Sequence, residues 1–209
     1  MKKLTAIVVL SLAVAATLVW QFGTLGSEKG DHVVGGDPLV NKIRIDMYGG
    51  GGLAPDEQPS GYVKNVDVVA LVTVEQVEEA SWNNQAGTMP SDFLLPVGTR
   101  TGEFTFVYTP VVVRIDSYIK GVGPDKLVVS QLGGTRDGIT TEVNDWYTFS
   151  PGMKAVVFLN APGTNINGWT LVNAYIITSS KAYSNWDKRE LPAEALLAQL
   201  RQAAAENTQ

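Results

Sequence analysis

Apolar and polar positions alternate over much of the chain from residue 66 to residue 178, and clusters of Gly, Pro, Asn and Asp interrupt the alternation. A period of two is the mark of a strand with one buried face. The stretch that organises the rest spans residues 101–132. Phe104, Phe106 and Tyr108 alternate with polar or smaller residues. After Thr109 and Pro110 the pattern resumes one register over, with Val111, Val113 and Ile115 on one face and Arg114 and Asp116 on the other. Proline removes a ladder donor, so the phase change predicts a bulge or sharp bend at Pro110. Residues 121–125, Gly-Val-Gly-Pro-Asp, make a turn into a second strand over 127–132. A long bent strand feeding a turn and a partner predicts the start of a small barrel.

Four more segments read in the same terms. Residues 67–77 predict a strand with Ala70, Val72 and Val74 on one face; Val69 and Leu71 give way to Thr73 and Glu75 on the other. Such a strand begins buried on both sides and ends half exposed. The run 154–159 (KAVVFL) is apolar throughout and short enough for a buried strand, and 169–178 (WTLVNAYIIT) is the last long one. Residues 138–149 support another strand or two. Val113, Ile115, Val156 and Phe158 are the expected barrel core. The chain closes with a helix over 192–206, in which Leu196, Leu197, Leu200 and Ala204 recur at helical spacing; Pro192 and Glu194 suit its first turn.

The N-terminus has a different pattern. Lys2 and Lys3 precede an uncharged apolar run over 4–22, close to the ~20 residues that span a bilayer as a helix. The reading favoured is a signal anchor over residues 1–22, with the lysines in the cytoplasm and the remainder outside the cytoplasmic membrane. The alternative is a cleaved signal peptide, cut near Ala13-Val14-Ala15 and leaving a secreted protein. Residues 23–62 are rich in Gly, Pro and Asp and predict a flexible spacer, with the island around Ile43 and Ile45 as a short strand or an arm on the domain. Residues 63–209 form the expected folded domain.

Charge and composition narrow the chemistry. The two lysines are the only charges before residue 23, so the remainder carries 14 basic against 21 acidic groups, net −7 where the whole chain is −5. An acidic exported domain lacks the clustered positive surface that nucleic acid requires. With Cys 0 there are no disulfides, thiolate metal sites or cysteine nucleophiles. His32, the sole histidine, lies in the spacer, which removes HExxH zinc sites and histidine-based triads from the domain. The glycine run 49–52 lacks the Lys-Ser/Thr of a phosphate loop, so no cofactor or metal site is expected. Paired-carboxylate hydrolysis would draw on Asp116, Glu142 and Asp145.

Binding has better candidates. Residues 78–102 form a connection of about two dozen residues, and structureless loops beyond about 12–15 residues are uncommon and often functional. This one carries Trp82 and Phe93; as tryptophan dominates many interface hot spots, both are expected on a partner-binding surface, joined by Trp146. The competing reading has Trp82 plugging the barrel mouth. Arg136, in the glycine-flanked loop 133–138, is a candidate anion contact, set against a solvated hairpin tip.

Three segments, VDVVALVTVEQVE (66–78), TPVVVRIDSYIKG (109–121) with KLVVSQLGG (126–134), and FSPGMKAVVFL (149–159), resemble a pattern of bacterial exported domains of the OB-fold, similar in plan to the netrin-like modules of tissue inhibitors of metalloproteinases. The resemblance covers about half the chain. It implies a mainly β protein, an OB-like five-stranded Greek-key barrel with a C-terminal helix, and an adhesive or binding role without catalysis. The inhibitors chelate zinc through an N-terminal cysteine; none exists here, so that activity does not carry over. The expected function is a membrane-tethered extracytoplasmic binding module for a protein or envelope-polymer partner. The alternatives are a carboxylate hydrolase and a purely structural envelope protein.

Overall fold

The computed structural model describes residues 41–45, 59–93, 105–144, 147–162, 167–185 and 188–207. The predicted membrane segment and Trp146 lie outside the described residues. Among those described, no helix is long and apolar enough to cross a membrane.

In chain order the elements are strand β1 (Asn41–Ile45), helix α1 (Ser60–Asn65), β2 (Val68–Val77), the two-residue β3 (Ser81–Trp82), β4 (Val107–Lys120) and β5 (Lys126–Leu132). Then come β6 (Gly134–Arg136), β7 (Ile139–Val143), β8 (Lys154–Asn160), β9 (Trp169–Thr178), β10 (Lys181–Ser184), β11 (Arg189–Pro192) and helix α2 (Ala193–Glu206). Strands β2, β4, β5, β9 and β8 pair in that order, and β8 returns to β2, so the five close into a barrel. Four of the contacts are antiparallel; β5 and β9 run parallel and pair only through Val129 with Trp169 and Ser130 with Thr170. The protein is thus mainly β, a closed five-stranded barrel with a C-terminal helix. A second sheet, β1–β7–β6, flanks it, and β10 with β11 extends β9.

Two layers of core follow from the alternation. Ala70, Val72 and Val74 of β2, Val111 and Val113 of β4 and Val157 of β8 point into the barrel. The opposite faces of β2 and β8 present Val69, Val156 and Phe158 outward, under a cover made by Tyr62 and Val63 of α1 and Leu196, Leu197 and Leu200 of α2. Val113 and Ile115 therefore pack in the barrel as expected, but Val156 and Phe158 do not. An uninterrupted apolar run is buried on both faces, and its period cannot tell the inside of a barrel from the underside of a helix layer.

The bend expected at Pro110 is also displaced. The β4–β5 register runs without a break from Tyr108↔Leu132 to Arg114↔Lys126, through Pro110↔Ser130. The shifts lie on the β2–β4 ladder, between Val69/Ala70, Leu71/Val72 and Val74/Gln76. Pro110 sits where β4 changes partner, between its last pair with β2 (Val77↔Val111) and its first with β3 (Ser81↔Tyr108). Its carbonyl accepts the Glu78 N–H at 2.9 Å, and its missing donor falls on that same side, where no ladder partner is waiting.

The β9 strand bends by its own device. Asn173 pairs with Phe158 and Leu171 with Leu159, which leaves Val172 unpaired and shifts the alternation by one. Asn173 Oδ1 accepts the Ala174 N–H (2.7 Å) and the Tyr147 hydroxyl, and Ser184 Oγ lies 2.7 Å from that hydroxyl. These buried groups take up hydrogen bonds where the ladder is disrupted, while Asn173 Nδ2 stays buried without a partner among the described residues.

Sequence patterning did not register α1, β3 or the β10–β11 hairpin. Helix α1 is short, and it is held from outside its own sequence: Lys120 Nζ donates to the carbonyls of Val63 (2.7 Å) and Val66 (2.6 Å) at its C-terminal end. The boundary expected at residue 63 falls inside this helix. The island in the spacer is β1, laid parallel on β7 from Asn41↔Ile139 to Ile45↔Val143.

Two variants test this architecture. Phe158→Ala, at a site with 0% exposure, is expected to cost about 3–5 kcal/mol in urea unfolding and to lower hydrogen-exchange protection in α2. Gly168 opens β9 at φ +108°, where a Cβ would stand 2.5 Å from the Val128 carbonyl oxygen. Gly168→Ala is therefore expected to open the parallel seam and cost more than about 1 kcal/mol; a wild-type melting curve would show that the seam is not closed in solution.

Candidate functional site

The long connection after β2 folds back on the barrel instead of standing free. Residues 78–80 pass over Pro110, and β3 then pairs with the start of β4. This carries Trp82 into a third apolar cluster with Ala80, Phe93, Val107 and Ile139, where its ring meets Phe93 edge-on at 4.7 Å. Trp82 is 0% exposed and Phe93 is 5% exposed. Neither ring is on the surface, and the partner-contact role expected of them is corrected on this point. Each aromatic is too large to leave in water once β3 has bent inward, and together they anchor the connection to the barrel end.

The β6–β7 hairpin covers the same cluster. Asp137 and Gly138 have φ of +51° and +74°, the two successive left-handed residues of a type I′ turn, for which Asp-Gly is a favoured pair. The tip is exposed, as a solvated hairpin would be, but it is also tied down on one side. Trp82 Nε1 donates to Asp137 Oδ2 at 2.8 Å, an assisted hydrogen bond that locks the hairpin to β3. Arg136 precedes the turn. Its Nε lies 3.8 Å from Asp137 Oδ1, and its Nη1 is 2.6 Å from Glu79 Oε1.

Between these pieces lies a cleft of about 490 Å³. One wall is the start of the long connection, from Glu78 through Ser81 to Gly87; Arg136 faces it, and Tyr108, Pro110 and Asn167 complete the floor. Asn167 belongs to the β8–β9 connection and is fastened there by its backbone N–H, which donates to the Tyr108 hydroxyl at 3.0 Å. Glu78 and Glu79 are both exposed. The cleft is thus polar, with hydroxyl and amide groups around one guanidinium and two carboxylates. Of the expected site residues, Arg136 lines it and Trp82 and Phe93 lie in the apolar cluster that supports it. The signal that marks the cleft in the sequence is the pair Glu78-Glu79 at the end of a strand together with Asp137-Gly138. Neither pair shows by itself that the two loops meet.

The carboxylates considered for hydrolysis are placed elsewhere. Asp116 is held by Arg114 Nη2 (2.9 Å) and the Thr73 hydroxyl (2.8 Å) on the β2–β4 ladder. Glu142 is exposed on β7, and Asp145 lies outside the described residues. Burial, with a smaller contribution from Asp125, holds the Tyr118 phenol above its ordinary value, but Tyr118 lies toward the far end of β4 from the cleft. Among the described residues no group of three or more His, Cys, Asp or Glu side chains is placed to hold a metal ion.

No family model matches the chain, and no curated protein matches it. A functional reading rests on the cleft.

Trp82→Ala is expected to cost about 3–5 kcal/mol, because the whole ring is buried. Trp82→Phe keeps one aromatic ring and removes the N–H; water can reach the partly exposed Asp137 carboxylate, so the lost hydrogen bond is expected to cost only about 0.5–1.5 kcal/mol. Thermal or urea unfolding of both variants checks the pair; a Trp82→Phe variant as stable as wild type would mean that the hydrogen bond adds nothing to packing.

Proposed function

We propose that the protein is a non-catalytic binding module, tethered outside the cytoplasmic membrane by its N-terminal segment, and that its partner docks in the cleft beside Arg136. The observation that carries this reading is the position of the cleft on the barrel. The strand order β2–β4–β5–β9–β8, with β5 and β9 parallel, supports an OB-type assignment in which these are strands one, two, three, five and four. Barrels of that type bind ligands with the loops joining strands one to two and four to five. Here those are the connection after β2 and the β8–β9 connection, and residues of both line the cleft. A long first connection pinned down by a buried tryptophan and a hairpin is what a binding site on a rigid scaffold requires.

Catalysis is the weaker reading for this cleft. Glu78 and Glu79 are exposed, and Glu79 is engaged with Arg136, whereas a carboxylic acid used as a proton donor needs an environment that keeps it neutral. The expected partner is a protein or envelope polymer, in keeping with an exported acidic domain.

The test is capture from an envelope fraction by the full chain. Ala86 lies on the exposed rim of the cleft, so Ala86→Arg is expected to fill it, leave the melting temperature unchanged and reduce capture at least about tenfold. Val122→Ser, at the exposed turn between β4 and β5, is expected to bind as wild type. Undiminished capture by Ala86→Arg would remove the cleft from the binding site. For the anchor, mass spectrometry of the membrane fraction is expected to find the chain uncut; a soluble form beginning near Ala16 would replace the tether with secretion.

A further inference from the structure

The cleft places two opposite charges in contact and a third nearby. Arg136 is the only cationic side chain among its described lining residues, and Glu78 and Glu79 line the same space. The two sides of the guanidinium are held differently. Its Nε faces Asp137, which is itself fixed by the Trp82 indole N–H. Its Nη1 is closed off by Glu79, whose side chain is 83% exposed. An ion pair with so exposed a carboxylate is weak, because water competes for both charges and a long side chain must be ordered to make it. Asp137, at 3.8 Å and beyond hydrogen-bond reach, biases the guanidinium only through its charge, and Glu79 covers the other side with a pair that water or a ligand can replace.

Resting on the reading of the cleft as the binding site, we propose that this ion pair is exchanged when ligand binds, and that the ligand group received is a zwitterionic α-amino-carboxylate. The ligand carboxylate displaces Glu79 from Arg136, and the ligand ammonium is taken by the released Glu79 together with Glu78. Pairing selects this class, because the cleft offers one guanidinium for a carboxylate and two carboxylates for an ammonium. A ligand bearing only a carboxylate leaves Glu79 unpaired beside it and meets the field of Glu78. A ligand bearing only an ammonium can use Glu78 but must take Glu79 from Arg136 with nothing to replace it there. An amino acid head group carries its two charges one carbon apart, which matches cleft charges that already touch at 2.6 Å. The planar guanidinium fork suits a carboxylate in particular. The hydroxyl of Ser81 and the amide of Gln85, on the same wall, offer neutral hydrogen bonds to the rest of the ligand.

The experiment is an NMR titration of the 15N-labelled full chain in detergent micelles with alanine, N-acetylalanine and alaninamide, following the Arg136 Nε–Hε signal and the Glu79 amide. Alanine is expected to shift both signals saturably. Each blocked form is expected to bind at least about tenfold more weakly, since each loses one charge-assisted pair. Arg136→Gln is expected to abolish the alanine response, while Arg136→Lys keeps a weakened one. If either blocked form binds as well as alanine, or if alanine gives no saturable shift, the proposal is overturned. These two results need only the wild-type chain, so they stand even where a variant fails to fold. Should alanine fail while Ala86→Arg still loses envelope capture, the cleft remains a binding site for another ligand class. Should alanine fail with capture intact, the cleft reading falls as well.

Discussion

Closure of the barrel is the constraint on which the remaining structure depends, and its closing contact is the smallest. An open sheet of these strands would leave unpaired N–H and C=O groups along two edges. The parallel meeting of β5 and β9 removes those edges with two residue pairs. That meeting demands a backbone approach at residue 168 so close that only hydrogen fits where a Cβ would be. Below the seam the strands diverge, and Tyr147 and Phe149 join the barrel core. The Tyr147 hydroxyl then ties this filling to the irregular part of β9 through Asn173 and Ser184. A short seam is stable here because apolar side chains and the Tyr147–Asn173–Ser184 hydrogen bonds stand where the ladder is missing, although the buried Asn173 Nδ2 has no partner among the described residues.

Closure also explains why two strands are buried on both faces. A barrel of five strands has an interior only wide enough for side chains, so small and branched residues such as Ala70, Val72, Ala155 and Val157 fill it. The larger Phe158 and Tyr175 go outward, and α1 and α2 cover them. The helices are a consequence of this surplus of apolar surface. Lys120 at the end of β4 then fixes α1 in place, which links the far end of the longest strand to the helix layer.

At the opposite end of β4 the same logic builds the cleft. The strand outlasts its partner β2, and Pro110 marks the change of neighbour. The backbone beyond it needs new partners, which β3 supplies on one side. Trp82 is drawn inward with β3, and its N–H demands an acceptor that the Asp137 turn provides. Arg136 is set against Glu79 as a result. The charged cleft is thus the outer surface of a structural solution to an unpaired strand end, and this gives it a rigid base.

Strand content, the positions of β2, β5, β8 and β9, and the terminal helix with its leucine stripe were legible in the sequence, because period and turn residues are local properties. Asp137-Gly138 likewise announced a tight hairpin. Only the tertiary structure decided which side of each doubly buried strand was inside: Val156 and Val157 are equally apolar, and their assignment depends on what lies across from them. It also decided that Trp82 and Phe93 are core residues. A long connection rich in aromatics has one composition whether it reaches for a partner or folds onto its own barrel, and the acceptor that settles the matter for Trp82 stands 55 residues away. The meeting of Glu79 with Arg136 is of the same kind. Charges distant in sequence meet only when closure brings their loops to one end of the barrel.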